Sequence, residues 1–255
     1  MLRLALLCVL LAGGCATGGD ADPRDPFEPF NRRVYRLNEV VDENFARPVA
    51  TAYRDLLPEA IRSRVRNFFA NLGDVWIGAN DFLQGKFEEG IEDWARFAFN
   101  STFGLLGIHD VASDFGLEKR NEDFGQTLGH WGVGEGPYLV LPILSSSSVR
   151  DTAGWVVDFT FGDPVGEFRP IRVRNSAYAV RLVNTRAELL DASRILEQAA
   201  LDKYVFQRDA YLQRRRNLVH DGSPPREPRE PREREEEPEK DATQEPGKPQ
   251  APPGR

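Results

Sequence analysis

From Pro23 to His220 the apolar residues of this 255-residue chain recur at intervals of three and four, the period of an α-helix, and nowhere alternate long enough to build a sheet. In the first segment Phe30, Val34, Leu37, Val41 and Phe45 mark one stripe. Arg32, Arg33, Arg36, Glu39 and Asp42 fill other faces, and Pro48 is expected to stop the helix. A second helix is expected from Pro58, a residue suited to a first helical turn. It stripes Ile61, Val65, Phe68 and Leu72, with Arg62, Arg64 and Arg66 assigned to its other side. Residues 74–83 and 87–103 continue the pattern through Trp76, Phe82, Phe87, Ile91, Trp94 and Ala98, with Gly85 and Gly104 as punctuation. Ser148, with Asp151 three residues on, predicts an N-cap for a helix through Val156 and Phe159 that ends near Gly162-Asp163-Pro164. Val180, Val183, Ala187 and Leu190, then Leu201, Val205, Arg208 and Leu212, complete the series. The expected fold class is mainly α, with six to eight helices and at most a hairpin of strand.

The two ends lie outside this pattern. Arg3 supplies a positive start, Leu4 to Ala12 a short apolar run, and Ala12-Gly13-Gly14-Cys15 a small-residue site ending in cysteine, as in a bacterial lipoprotein signal. Leu11 stands one position further from the cysteine than the usual pattern, with Ala12 in its place. Lipidation is still preferred to ordinary secretion, because the other cysteine, Cys8, follows a bulky Leu7. The run is too short to span a hydrocarbon core, which takes roughly 20 apolar residues. Residues 1–14 are therefore expected to be removed, Cys15 to carry the lipid, and residues 15–24 to act as a linker. Ala16 after the cysteine points to the outer membrane rather than the inner. From Asp221 to the end there is no Ile, Leu, Val, Phe, Tyr or Trp, and nine of the eighteen prolines fall there. Residues 221–255 should thus be a disordered, solvated tether. Formal net charge is −7, which gives no basic excess for nucleic acid.

One stretch departs from helical spacing. Gly125, Gly129, Gly132, Gly134 and Gly136 punctuate residues 123–138, and Tyr138 to Leu144 follow as an uncharged apolar strip. This predicts a loop or hairpin. A structural or gating duty and an irregular buried connection fit it equally. Elsewhere the stripes with arginine-rich opposite faces suit helices lying in a membrane interface, and they also describe a soluble bundle. Taken alone the pattern favours the bundle; a lipid anchor beside it shifts the balance toward one leaflet. His109 and Asp114 match an acyltransferase spacing, but the α/β pattern of such enzymes is missing, and Ser101 has no nucleophile elbow around it. Three scattered histidines give no metal site of recognised spacing, and no loop suits nucleotide phosphates, so no cofactor is expected.

Several motifs are more specific. Asp25-Pro26-Phe27-Glu28-Pro29-Phe30-Asn31-Arg32 opens the series, followed by Asn67 to Leu72, Asn80 to Gly85, Phe99 to Gly104 and Ile108 to Ala112. Then come Phe124 to Gly134, Gly136-Pro137-Tyr138, Thr185 to Asp191 and Tyr204 to Tyr211. In this order they resemble the MlaA (VacJ) family of outer-membrane lipoproteins, over residues 25–220. Ser145 to Ser148, in place of a glycine-containing turn, and the tail depart from the family pattern. The resemblance implies a monotopic helical ring in the inner leaflet of the outer membrane, facing the periplasm and enclosing an amphipathic channel. It also implies removal of mislocalised phospholipid from the outer leaflet, a soluble periplasmic carrier that receives it, and association with a trimeric porin. On that reading Gly129, Gly132, Gly134, Gly136, Pro137, Tyr138, Leu139 and Pro142 are expected to form a lipid path or gate. Asn31, Arg32 and Arg33 are expected as head-group or interface contacts, or as a solvated first-turn face. Such a protein supplies a path, with no catalytic residue. The competing assignment is a structural lipoprotein that braces porin or envelope.

Overall fold

The computed structural model describes residues 22–143 and 145–225. Cys15, the expected signal and the tail from residue 226 lie outside the described residues. The described elements are α1 (Glu28–Val41), α2 (Arg47–Leu56), α3 (Glu59–Gln84), α4 (Phe87–Thr102), α5 (Val111–Asp114) and α6 (Phe124–His130). A hairpin of β1 (Tyr138–Leu141) and β2 (Ser145–Ser148) follows, then α7 (Val149–Val157), α8 (Ile171–Glu188), α9 (Leu190–Ala199) and α10 (Lys203–Val219). The protein is mainly α, and its strand is confined to one antiparallel pair in which Tyr138 faces Ser148 and Leu141 faces Ser145. Ser145 to Ser148 form the second strand.

Pro48 does not stop the first helix. A π turn at Asp42–Ala46 joins α1 to α2, and Pro48 sits in the first turn of α2. The Arg47 N–H reaches back to the Asp42 carbonyl, and this wider turn absorbs the proline, which has no N–H and whose ring would crowd an ordinary α-turn. Leu57, extended before Pro58, ends the run instead. The two segments expected on either side of Gly73 merge into the single α3, which Gly85 closes at φ +81°. Ser148 caps α7 as expected, accepting from the Asp151 N–H at 3.1 Å.

The expected loop at residues 123–138 is half helix. Asp123 caps α6 by accepting from the Gln126 N–H at 2.9 Å. Gly125 serves close packing there, since a Cβ on it would fall 2.8 Å from Asp151 Oδ1 and 2.9 Å from Arg215 Nη2, and one on Gly154 of α7 would fall 2.4 Å from the Gly125 nitrogen. Packing order is circular: α1 lies on β1, β1 pairs β2, β2 meets α10, α10 meets α6, and α6 meets α3. Then α3 meets α8, α8 meets α2, and α2 runs back into α1. No described helix is long and apolar enough to cross a membrane.

Burial is inverted relative to a water-soluble bundle. Among the described residues nineteen buried side chains are polar or charged and eleven are apolar, while thirty-three large hydrophobics are exposed. Arg96 of α4, 1 % exposed, ion-pairs with Asp110 at 2.9 Å and lies 3.8 Å from Asp74, which also takes Lys119. Arg215 of α10 joins Asp123 (2.9 Å) and Asp151 (3.0 Å), and Tyr211 donates to the same Asp151. Thr127 of α6 donates to Asn80 of α3 at 2.7 Å. Each network links separate elements, so hydrogen bonds set the packing that apolar contacts set elsewhere.

Asp81 of α3 and Asp93 of α4 are wholly buried and face each other. Burial first, then the neighbouring Asp93 carboxyl, pushes Asp81 up to about 8, and burial raises Asp93 as well. The folded state therefore holds a proton that the unfolded chain, with ordinary aspartates near 4, releases. Stability from this pair is present below about pH 4 and is lost as pH rises toward about 8. Asp81→Asn should raise the melting temperature by about 2–4 °C at pH 8 and leave it unchanged at pH 4; thermal unfolding at the two pH values checks this.

Candidate functional site

Two regions are candidates for a functional site, and the first holds residues singled out in the sequence. The first is the docking of the hairpin on α1. Asn31, wholly buried, donates from Nδ2 to the Tyr138 carbonyl at 3.0 Å and accepts the Val140 N–H at 3.0 Å. Two turns along the same face, Asn38 donates to the Leu141 carbonyl at 2.9 Å and accepts the Ile143 N–H at 2.8 Å. The two amides act as a substitute strand along the free edge of β1, to which the Arg24 carbonyl adds a bond from the Tyr138 N–H. Asp25 accepts a further Asn31 hydrogen at 2.8 Å and the Tyr204 hydroxyl. Tyr138 packs edge-on against Tyr204 and shares a hydrogen with Ser146 at 2.8 Å; burial pushes its hydroxyl up to about 12.

The structure thus brings Asn31 together with Tyr138 and its strand, two sets that the sequence left apart. Arg32 is tied to Glu28 at 2.7 Å and Asp202 at 2.9 Å, and stacks over Tyr204 at 4.4 Å. Arg33 is exposed and has no ion pair among the described residues. Gly132 (φ +88°) and Gly134 are exposed with open space where a Cβ would stand, and Gly136 (φ +69°) turns the chain into Pro137 beside Val149. Gly129 lies against Val219 and Arg150, Leu139 is half-buried, and Pro142 is exposed at the hairpin tip. Between those two, Leu141 borders a polar cavity of about 280 Å³ with Ser146, Asp151, Tyr211 and Arg215.

The second region is a groove of about 860 Å³ between α3 and α8. Ile61, Val65, Phe68 and Phe69 form one wall, Val173, Ala177 and Val180 the other, and Ile108 joins them. This volume lies in the range of about 300–1,000 Å³ that holds drug-sized ligands. Arg64 and Arg172 stand on opposite walls, and neither guanidinium has an ion pair or hydrogen bond among the described residues. Arg64 was expected on the far side of α3, and this is corrected: at about 100° per residue it falls 60° from Ile61, within the stripe of Ile61, Val65 and Phe68. Arg62 and Arg66 do face away, pairing with Glu59. The groove is apolar along its length with free cationic groups at its wall, which suits an amphiphile bearing an anionic head.

A protein-family model described as MlaA lipoprotein matches residues 23–218. The chain belongs to the MlaA lipoprotein family. An intermembrane phospholipid transport system lipoprotein MlaA of Shigella flexneri is 37% identical over 224 residues, covering 86% of this chain and 88% of that protein. The protein of the same description from Escherichia coli K12 matches equally, and that of Haemophilus influenzae is 32% identical over 86% of this chain. A solved chain, from work on the structural basis for maintenance of bacterial outer membrane lipid asymmetry, superimposes with a TM-score of 0.67 at 35% identity. It covers 76% of this chain and 98% of its own length. The MlaA-like region therefore spans the whole circuit of elements, including both walls of the groove. His109 and Asp114 share no hydrogen bond.

Asn31 and Arg33 separate the structural role from the surface one. Asn31→Ala leaves a carbonyl and an N–H of β1 without partners and should cost roughly 2–4 kcal/mol. Arg33→Ala should stay within about 0.5 kcal/mol of the parent. Denaturant unfolding in detergent compares the two.

Proposed function

We propose that the protein carries mislocalised glycerophospholipid out of the outer leaflet of the outer membrane along the α3–α8 groove and passes it to a soluble periplasmic carrier. It sits in one leaflet, held by a lipid on Cys15 and facing the periplasm, with a trimeric porin as its neighbour. The observation that carries this reading is the inverted burial together with an apolar groove flanked by two unpaired guanidinium groups. A charged head group entering hydrocarbon is heavily penalised, and a wall that offers cationic donors beside apolar side chains lowers that barrier. Arg64 and Arg172 meet the phosphate while the Phe68 side accommodates acyl chain. The protein provides the path and breaks no bond. Family membership supports the assignment, as do relatives described as lipoproteins of intermembrane phospholipid transport.

The glycine-rich connection ahead of the hairpin is proposed as the gate of this path. A Cβ at Gly134 would meet nothing within 4 Å, so a bulkier residue there alters motion and not packing. Gly134→Val should accumulate normally while phospholipid exposed at the cell surface rises; surface-lipid labelling in a complemented deletion strain checks this, and unchanged asymmetry sinks the gate. Arg64→Glu combined with Arg172→Glu should lower phospholipid recovered per mole of detergent-purified protein several-fold, measured by mass spectrometry. Recovery equal to that of the parent would remove the groove from the path.

A further inference from the structure

Leu105 and Leu106 occupy the left-handed region in succession, at φ 54° and 61°. L-residues with side chains avoid it, and successive ones are rare. Side-chain packing does not offset that strain, because the two side chains are 65% and 69% exposed. Phe103 beside them and Phe115 across the loop are each 66% exposed, bridged by ring contacts of Phe99 to both, at 5.8 and 5.5 Å. From Thr102 to Ile108 there is no charged residue.

The backbone beneath is held firmly. The Leu106, Gly107 and His109 N–H groups donate to the carbonyls of Ser101 (3.0 Å), Asn100 (2.8 Å) and Gly104 (2.9 Å). Asn100 is itself fixed by donating to Asp110 and by accepting from the Ala112 N–H, and Asp110 holds the buried Arg96. Gly107 lies so close to Asn71 that a Cβ would fall 2.4 Å from that side chain. Strained residues persist where their surroundings over-determine them, and they cluster at functional sites. Ile108, two residues beyond the leucines, lines the α3–α8 groove.

We propose that Phe103, Leu105 and Leu106 form a rigid wedge that enters the acyl chains of the leaflet beside the groove, parting lipids where they are to be taken up. The inference rests on the membrane reading above. Hydrocarbon is the fitting occupant rather than a protein partner, because exposed large hydrophobics are spread over every described helix of ten residues or more instead of being confined to this loop. The leucine loop is continuous with that surface and differs from it in projecting from a pinned, strained turn.

The test uses the full chain carrying Leu106→Cys or, as a reference, Phe45→Cys, each labelled with an environment-sensitive fluorophore, with the unsubstituted protein as blank. Vesicles of phosphatidylethanolamine and phosphatidylglycerol carry nitroxide quenchers at the head group or along the acyl chain. Acyl-chain quenching of the Leu106 probe, stronger than head-group quenching, is the expected result. If only the Phe45 probe is quenched, the wedge is overturned and the membrane reading stands; if neither is quenched, both fall. Leu105→Gly with Leu106→Gly relieves the strain while deleting the side chains. It should keep or raise the melting temperature yet weaken vesicle affinity roughly tenfold or more. Undiminished affinity overturns the wedge.

Discussion

A guanidinium group taken out of water must find anions, and the interior of this domain is organised around that requirement. Arg96 draws Asp110 and Asp74 together across α3, α4 and the loop before α5. Arg208 joins α10 to Asp22 and Asp25 ahead of α1, and Arg215 joins it to the cap of α6 and the first turn of α7. Burial alone would raise Asp123, yet Arg215 overrides it and holds that carboxyl below its usual range. Removing one partner of such a pair costs about 3–5 kcal/mol, because the other is left charged in a poor solvent. Position in the fold is therefore specified by directional contacts, and apolar side chains are free to face outward.

That outward freedom links architecture to function. In water a surface with Phe45, Phe87, Phe103 and Phe161 exposed would aggregate, whereas in hydrocarbon it is the favoured exterior. The same inversion explains the hairpin. The free edge of β1 meets side-chain amides of Asn31 and Asn38, so its backbone groups are satisfied within the protein whatever surrounds it. The groove between α3 and α8 repeats the theme on a smaller scale, with apolar walls and two guanidinium groups left unneutralised for a ligand.

Much of the helical scaffold was legible because a 3.6-residue period writes itself into sequence. α3, α4, α7, α8 and α10 all follow their stripes, and Ser148 and Gly85 mark the ends they were expected to mark. Less legible were features set by compensation between neighbours. Pro48 reads as a stop until the π turn before it accommodates its ring. Gly125 reads as a loop residue until Asp151 and Arg215 are seen to lie where its Cβ would crowd them. The motif around Asn31 was visible, while its partner strand, more than a hundred residues away, was not.

Of the groove, the sequence displayed the stripe of Ile61, Val65 and Phe68 and the nearby arginines, but neither the opposing wall nor which arginine lacks a partner. Arg62, Arg64 and Arg66 look alike in a string; Glu59, which meets Arg62 and Arg66, and Glu188, which meets Arg66, distinguish them in space. By itself the amino-acid order determined that the chain makes amphipathic helices, where most of them end, and which family they belong to. Only the tertiary structure decided which face of each helix is inside, because periodicity reveals that a helix has two faces and says nothing of the medium each will meet.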